Sequence, residues 1–159
     1  MDFGKLDLRA AADQEHWLHL RVGDTLLYLD EEKQEGPCRV KVRSVANDEV
    51  ERALKVGTRA ARAVATAESQ LATANRQQKG EIEPRLDALE KQLEKALQAF
   101  LTTAIVDWEN IQVGGKSLPF SKEALADMSE PKAPFARLAT AIMDDMGNLA
   151  SPFGKPDPA

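Results

Sequence analysis

The chain has 159 residues and a mass of 17.4 kDa, which is enough for one domain with its own core and too little for two full enzyme domains. Its 43% hydrophobic and 30% charged residues, with a mean hydropathy of −0.41, exclude the disordered and membrane-embedded classes of protein. The net charge of −5 argues against a protein that coats nucleic acid, and the single cysteine excludes an internal disulfide and multi-cysteine zinc sites.

The same features bear on where the protein is found. A single cysteine favours a reducing compartment. The start of the chain has no apolar stretch of the kind found in secretory signals, and no run of about 18 apolar residues occurs anywhere. We therefore expect a protein that is neither secreted by a standard signal nor inserted in a membrane.

Residues 1–46 are predicted to form a small antiparallel β-meander. Apolar and polar residues alternate over 17–22, and a second apolar run follows at 25–29 after a tight turn at Gly23-Asp24, which is typical of a β-hairpin. A third strand is predicted from the strict alternation of basic residues with Cys38, Val40 and Val42.

Residues 47–106 are predicted to form a helical hairpin. Asn47 can cap its first helix, and Gly80 is expected to interrupt the chain before Pro84 opens the second helix. The first helix has a narrow stripe of mostly small residues at helical spacing: Val50, Leu54, Gly57, Ala61, Val64, Leu71 and Ala74. The second helix has a stripe of large apolar residues, the hairpin seam: Leu86, Leu89, Leu93, Leu97 and Phe100.

The expected length of this hairpin indicates that it extends beyond the rest of the protein. Two helices of some 25–30 residues reach roughly 40 Å each, which is longer than a globule of this size, so the hairpin is expected to project as an antiparallel coiled-coil arm. The seam most simply closes the hairpin on its first helix. Self-association or partner binding through the seam is the alternative.

Residues 107–150 are predicted to form a turn block followed by short helices. The block contains Trp108, Gly114-Gly115 and Phe120, and its glycines and proline are typical of a short ribbon or an ordered turn. Together with the preceding zones it gives an α+β fold class: a small N-terminal antiparallel β-meander, a long antiparallel helical hairpin and short C-terminal helices.

Two serines are candidate caps for the short helices. Ser121 can cap the first, and Ser129 can cap a second that ends at Gly147-Asn148. Residues 151–159, rich in proline, are expected to form a disordered tail.

No catalytic, cofactor-binding or metal site is expected. Gly115-Lys116-Ser117 resembles the end of a phosphate-binding loop, but Asn110 stands where that motif requires its first glycine and no helix opens after it. His16 and His19 are the only imidazoles, and their spacing places them on opposite faces of a strand with no further ligand motif.

Catalysis by nucleophile or acid and base is not expected either. Cys38 lies within a predicted strand rather than at a helix N-terminus, so it is interpreted as an ordinary half-buried residue. Asp144-Asp145 are adjacent on a predicted helix and diverge by about 100°, which makes a poor acid and base pair. We therefore expect a protein that is not an enzyme.

Two groups of basic residues are candidates for binding an acidic partner. The first shares the outer face of one predicted strand and consists of Arg39, Lys41 and Arg43. The second follows one side of the first helix and consists of Arg52, Lys55, Arg59 and Arg62. Neither group interleaves aromatic side chains that could stack on bases. A solvated face is the favoured interpretation, an acidic protein partner the second, and nucleic acid the last.

The last helix carries the residues that we expect to contact a protein partner. They are Phe135, Leu138, Ile142, Met143 and Met146. Methionine side chains adapt to irregular apolar surfaces, so core filling is the simpler interpretation of this group and a pliable binding surface for another protein is the second. Replacing Ile142 and Met146 by aspartate distinguishes the two interpretations, because the protein stays folded only if these residues lie on the surface.

The turn block combines several residues that are characteristic when they occur together. They are Trp108, Ile111, Gly114, Gly115, Leu118, Pro119, Phe120 and Ser121, followed by Ala124 and Leu125. The block resembles a segment of the tail assembly chaperones of long-tailed bacteriophages and related prophages, in which such a run precedes short C-terminal helices. The order of a small β start, a charged helical stretch and the Trp block is also similar.

The resemblance implies a non-enzymatic protein without a cofactor that acts in the host bacterial cytoplasm and is absent from the mature virion. Its implied partners are the apolar, helical tape-measure protein, which it coats, and the tail-tube (major tail) protein, whose assembly it promotes. Self-association remains open, and we expect no nucleic-acid or membrane partner. The alternatives are a structural tail component, such as a tail-tip or adaptor subunit, and a small coiled-coil regulator that binds a host protein.

Overall fold

The computed structural model describes residues 13–150, which form the α+β architecture that the sequence predicts. The strands are β1 (Glu15–His19), β2 (Arg21–Val22), β3 (Thr25–Leu26), β4 (Tyr28–Asp30), β5 (Glu35–Pro37), β6 (Arg39–Arg43), β7 (Ile105–Glu109), β8 (Gln112–Val113) and β9 (Lys116–Ser117). The helices are α1 (Asp48–Ala72), α2 (Arg76–Ala104), α3 (Lys122–Ser129) and α4 (Pro134–Ala150).

The meander forms as short strands joined at a bend. β2 pairs with β3 across the expected turn at Gly23-Asp24, and β4 pairs with β5. At the bend the Leu20 N–H donates to the Cys38 carbonyl (2.8 Å) and the Leu27 N–H donates to the Leu20 carbonyl (2.9 Å). The Cys38 N–H closes the ring on the Leu27 carbonyl at 3.0 Å. This ring satisfies the backbone where regular strand pairing stops.

The main sheet has three antiparallel strands in the order β1-β6-β7, so its last strand comes from beyond the helical hairpin. Val40 and Val42 of the central strand are almost fully buried. Val42 pairs with Ile105 after a shift in register. β7 was not predicted, because Ile105–Glu109 does not alternate strictly and its partner strand lies on the other side of the hairpin.

The hairpin consists of α1 and α2, and its first cap is as predicted. The Asn47 side chain accepts hydrogen bonds from the backbone N–H groups of Glu49 and Val50. The turn, however, lies at residues 73–75 rather than at Gly80. Asn75 forms a capping box with Gln78, which pairs otherwise free N–H groups and starts α2 at Arg76.

The predicted interruption at Gly80 and start at Pro84 were therefore wrong, since both residues lie inside α2. Proline at position 84 cannot donate to the Gly80 carbonyl four residues earlier. Both residues are exposed, so water can bind that carbonyl. The capping box outweighs the helix-breaking tendency of these two residues.

The hairpin seam divides between two apolar clusters. Phe100 is fully buried in the main core beneath the sheet, with Leu97 packed against it. Leu86, Leu89 and Leu93 form a separate small cluster with Val64, Ala67 and Leu71 of α1. The seam thus closes the hairpin on its first helix, as predicted. Ala61 was wrongly assigned to the stripe of α1, because it is exposed.

The C-terminal part differs from the prediction at two helix ends. Ser121 caps α3 by accepting from the Ala124 N–H. Ser129 is not a cap: it is the last residue of α3, and α4 begins at Pro134, a residue that favours the first helical position. Gly147 does not end α4, which continues to Ala150.

Two predictions concern residues outside the described range. The disordered tail at 151–159 and the first part of the 1–46 zone lie beyond residues 13–150. Within the described range, no helix has the length and apolar character that a membrane span requires.

The placement of Gly80 inside α2 predicts opposite effects for two glycine substitutions. Gly80 and Gly115 both leave open space around an added Cβ, but Gly115 has a φ of +78°. We expect G80A to raise the free energy of unfolding by about 0.5–1 kcal/mol and G115A to lower it by about 1 kcal/mol. Urea unfolding followed by circular dichroism measures both. A destabilising G80A would place the hairpin turn at Gly80 after all.

Candidate partner-binding groove

A groove of about 680 Å³ lies between the β2–β3 ribbon and the first half of α4. We call it the α4 groove, and it is lined by Arg21, Val22, Gly23, Leu27, Lys132, Pro134, Arg137, Leu138, Thr140, Ala141 and Asp144. Its floor is apolar and its rim is charged. This combination is typical of surfaces that bind the apolar side of another protein segment.

The ribbon wall depends on a tight turn. Gly23 has a φ of +60°, which glycine adopts without strain, and the turn places Val22 at the groove with 59% of its surface exposed. Leu27 lies deeper and packs against the main core. Val22 is therefore an apolar side chain that the fold leaves available to a partner.

An ion pair fastens this wall to α4. The Arg21 guanidinium donates to both carboxylate oxygens of Asp145, with distances of 3.0 to 3.3 Å, and also to the Gly23 carbonyl. The hydrogen bond and the charge of Asp145 raise the pKa of Arg21 above its usual value. The pair is bidentate, so it sets the direction as well as the position of the ribbon.

The remaining charges of the rim are free to meet a partner. Lys132, Arg137 and Asp144 are exposed, and none of them forms an ion pair within residues 13–150. Lys132 and Arg137 lie at the amino end of α4. Asp144 lies two turns further along the helix.

The predicted contact residues on α4 fall into two groups. Phe135, Ile142 and Met146 are only 2–3% exposed and belong to the main core, so their assignment as surface contacts was wrong. Leu138 is half-buried and lines the α4 groove. Met143 is half-buried and packs against the core near Gly57.

The core residues and the groove residues of α4 form two stripes that are offset by one residue around the helix. Core residues of α4 recur at 135, 139, 142 and 146, whereas groove residues recur at 134, 138, 141 and 144. Successive residues on a helix are about 100° apart, so the two stripes are neighbours. The large apolar side chains of the sequence identify the core stripe. In the groove stripe only Leu138 is a large apolar residue. The other sign of the groove is its contact with the β2–β3 ribbon, which is distant in sequence.

The turn-block residues from which the sequence analysis infers a resemblance to the phage family serve mainly to hold the fold together. The Trp108 indole N–H donates to the Leu118 carbonyl at 2.7 Å. Its ring meets Phe120 and Phe135 edge to face, with centroid distances of 4.9 and 5.4 Å. Trp108 thereby fastens α4 to the sheet.

The other residues of this block shape the chain around Trp108. Gly114 and Gly115 form the turn between β8 and β9 with φ values of +59° and +78°. Pro119 leads from this ribbon to Phe120, and Ser121 caps α3. The resemblance therefore rests on residues that position α3 and α4.

The basic residues of β6 are neutralised by carboxylates. Arg39 pairs with Glu109, Lys41 pairs with Glu15 at 3.2 Å, and Arg43 pairs with Glu49 at 3.2 Å. Arg39 and Lys41 also lie over the Trp17 ring, 5.3 and 5.8 Å from its centroid. These contacts support a solvated face over an anion-binding surface.

Two of the basic residues of α1 contact groups on their own helix, and a third, Arg59, lines a second groove. Lys55 pairs with Glu51 at 2.9 Å, and the Arg52 guanidinium donates to the Asp48 carbonyl. A groove of about 590 Å³, which we call the hairpin groove, lies between α1 and α2. It is lined by Val56, Arg59, Ala60, Ala63, Gln92, Lys95, Ala96 and Ala99.

His19 and the candidate phosphate loop have structural roles. The His19 ring bonds to the Leu27 carbonyl at 2.7 Å and meets Tyr28 edge to face. Lys116 and Ser117 form β9 rather than the start of a helix. Within residues 13–150, no group of three or more His, Cys, Asp or Glu side chains is arranged to hold a metal ion.

Comparisons with known proteins add no relative. No protein-family model, no curated protein and no solved structure matches this chain.

The burial of α4 predicts that its core stripe cannot accept a charge. I142D and M146D should each lower the free energy of unfolding by at least about 3 kcal/mol, because each buries a carboxylate in the main core. L149D is the matched control on the same helix, since Leu149 is 39% exposed, and it should change that free energy by less than about 1 kcal/mol. Urea unfolding measures all three. A stable, folded I142D would mean that the residue faces solvent.

The surroundings of Cys38 predict its reactivity. Its thiol donates to the Asn110 carbonyl at 3.1 Å, and burial, followed by the charge of Glu31, raises its pKa. We expect iodoacetamide at pH 8 to react several-fold more slowly with the folded protein than with the protein unfolded in urea. Mass spectrometry of the alkylated fraction measures this.

The same pKa shift predicts the direction of a stability change. The folded state keeps the Cys38 proton to a higher pH than the unfolded state, so this group's contribution to stability falls as the pH rises above about 8.5. The free energy of unfolding of the native protein minus that of C38A should therefore decrease from pH 8 to pH 10. A constant difference would mean that the thiol titrates alike in both states.

Proposed function

We propose that this chain is a non-enzymatic tail assembly chaperone, which binds and solubilises a phage tape-measure protein and promotes assembly of the tail tube around it. The observation that carries the proposal is the α4 groove, which exposes an apolar floor beside a bidentate ion pair. The resemblance of the Trp block to the phage family supplies the identity of the partner. The proposed location is the host bacterial cytoplasm, with the protein absent from the mature virion.

The groove suits the apolar side of a helical partner. Leu138 and Ala141 of α4 and Val22 of the facing ribbon offer small and medium apolar side chains to the groove. Amphipathic helices bind such grooves through apolar residues spaced three and four apart. When such a helix binds, the groove covers the apolar residues of the partner, which would otherwise lead to aggregation.

The charge of the protein supports the same role. The net charge of −5 keeps this chain away from the zero net charge that favours precipitation. A small acidic protein that covers apolar segments thus raises the solubility of a larger partner.

A structural tail component is the second candidate, and the hairpin groove favours it. Val56 is 56% exposed beside the small residues Ala60, Ala63 and Ala99, which allow another helix to approach closely. Permanent docking through the hairpin groove would place the protein in the virion. Mass spectrometry of purified particles separates the candidates, since a chaperone is absent or scarce there.

Co-expression with the tape-measure protein of the same genome tests the proposal. We expect the tape-measure protein to become soluble and to co-purify with this chain, and V22D to reduce the co-purified amount at least about fivefold, because it places a carboxylate among the apolar side chains that line the groove. V56D is a matched control, since the two valines are 59% and 56% exposed. It should leave co-purification unchanged.

Three results would contradict the proposal. A tape-measure protein that stays insoluble would remove the chaperone function. A complex broken by V56D and not by V22D would move the binding site to the hairpin groove. Binding of a host protein in place of the tape-measure protein would favour the coiled-coil regulator.

A further inference from the structure

The charges of α4 are arranged against the dipole of the helix. The amino end of a helix carries a partial positive charge, yet Lys132 precedes α4 and Arg137 is its fourth residue, with no acidic residue in the first turn. Asp144 and Asp145 lie in the second half, and the last turn has no basic residue. Asp145 is bound by Arg21. Lys132, Arg137 and Asp144 are exposed and form no ion pair within residues 13–150, so their charges are not balanced there.

The order and spacing of these charges fit a second copy of α4 that runs antiparallel to the first. Arg137 and Asp144 are seven residues apart, which corresponds to two turns and about 10 Å along the axis. The midpoint of this pair lies between Thr140 and Ala141. Two antiparallel helices that cross there place each Arg137 beside the other copy's Asp144, because the spacing is the same in both. The amino end of each helix then lies beside the carboxyl end of the other, to which Lys132 brings a cation.

The same contact covers the apolar residues of the α4 groove. Leu138 is half-buried and Val22 is 59% exposed, and both line the groove. Thr140 and Ala141 are small residues at the centre of the contact, so the two helices can approach closely. Each α4 fills the groove between the α4 and the ribbon of the other copy, and a two-fold axis makes every contact occur twice.

We propose that the α4 groove is the interface of a two-fold symmetric dimer, in which the α4 of a second copy of this chain occupies the groove. Eleven residues line the groove, whereas a standard stable interface has about 20–30 on each side. The dimer is therefore weak, and a partner helix binds by displacing the second copy. The dimer itself is independent of the proposed function, whereas this displacement rests on it.

The other helices of a second copy fit the groove less well. α1 has its acidic residues in the first turn, which is the opposite order of charge. α2 has its large apolar side chains, such as Leu86, packed against α1. α3 has only eight residues, and its Leu125 and Met128 are buried in the main core. A second α4 supplies the required charges at the required spacing without any further component.

Charge reversal at one position, and then at both, tests the contact. R137E places a carboxylate beside Asp144, and D144R places a guanidinium beside Arg137. Sedimentation velocity from about 1 to 300 µM should show a native dimer, and each variant should raise the dimer Kd at least about tenfold. R137E/D144R exchanges the two charges and should recover the dimer. Both positions are exposed, so the unfolding curves should match that of the native protein.

A mixture of the two single variants distinguishes the antiparallel α4 contact from any other dimer. In a heterodimer of R137E and D144R, the introduced carboxylate meets the introduced guanidinium, and the native Arg137 meets the native Asp144. Differently tagged R137E and D144R should therefore co-purify, although neither dimerises alone. R62E and E90R are matched controls, because they reverse one exposed cation and one exposed anion on the hairpin, and they should leave the native dimer unchanged.

A cysteine at the centre of the contact reports the same geometry. In a C38A background, a short bis-maleimide linker should join T140C to its own copy, because the two-fold axis passes between residues 140 and 141. E90C on α2 is exposed and away from the groove, so it should stay unlinked. In the complex with solubilised tape-measure protein, the yield of linked T140C should fall at least about fivefold, because the partner occupies the groove.

The results also separate this inference from the proposed function. A protein that stays monomeric over this concentration range, or a dimer that R137E and D144R leave intact, would overturn the inference. A dimer broken by V56D and not by V22D would place the interface at the hairpin groove and overturn it as well. If the tape-measure protein still becomes soluble in any of these cases, the proposed function stands without the inference. A dimer with the expected charge dependence but without solubilised tape-measure protein would instead reject the proposed function alone.

Discussion

The pairing of β6 with strands on both sides is the constraint on which the rest of the structure depends. β1 comes from before the helical hairpin and β7 from after it, so β6 joins two distant parts of the chain in one sheet. Val40 and Val42 direct the inner face of this sheet toward Phe100 at the base of the hairpin. Because Asn47 and Ala104 lie close to β6 and β7 in sequence, the sheet also fixes the points from which α1 and α2 extend.

Trp108 connects the sheet to the C-terminal helices through its side-chain contacts. Its backbone belongs to β7, its indole N–H bonds to the Leu118 carbonyl, and its ring packs against Phe135 of α4. The position of α4, and with it one wall of the groove, thus follows from the strand. The turn block around Trp108 thus has a supporting role, whereas the proposed partner contacts lie on Val22 and Leu138.

Local signals in the sequence predicted most of the fold and little of the groove. The alternation at Val40 and Val42, the cap at Asn47 and the helical spacing of the hairpin seam each act over a few residues, and each was confirmed. β7 was missed because strand pairing across the hairpin leaves no local pattern. The groove was placed on the wrong stripe of α4 because periodicity finds the most apolar side of a helix, which is the side that the core covers. Val22 could be assigned to a partner surface only once the ribbon was seen against α4.

The neighbouring stripes of α4 have a consequence for how such a groove can work. The core stripe holds the helix rigidly through Phe135 and Met146, while the opposite wall, the β2–β3 ribbon, is joined to it by the ion pair of Arg21 and Asp145. This ion pair is partly exposed, and such pairs contribute little to stability. The ion pair therefore orients the ribbon, whose position is set mainly by Leu27 in the main core and by the backbone hydrogen bonds at the bend. Both walls of the α4 groove are thus anchored in the main core, so the groove is formed before any partner binds.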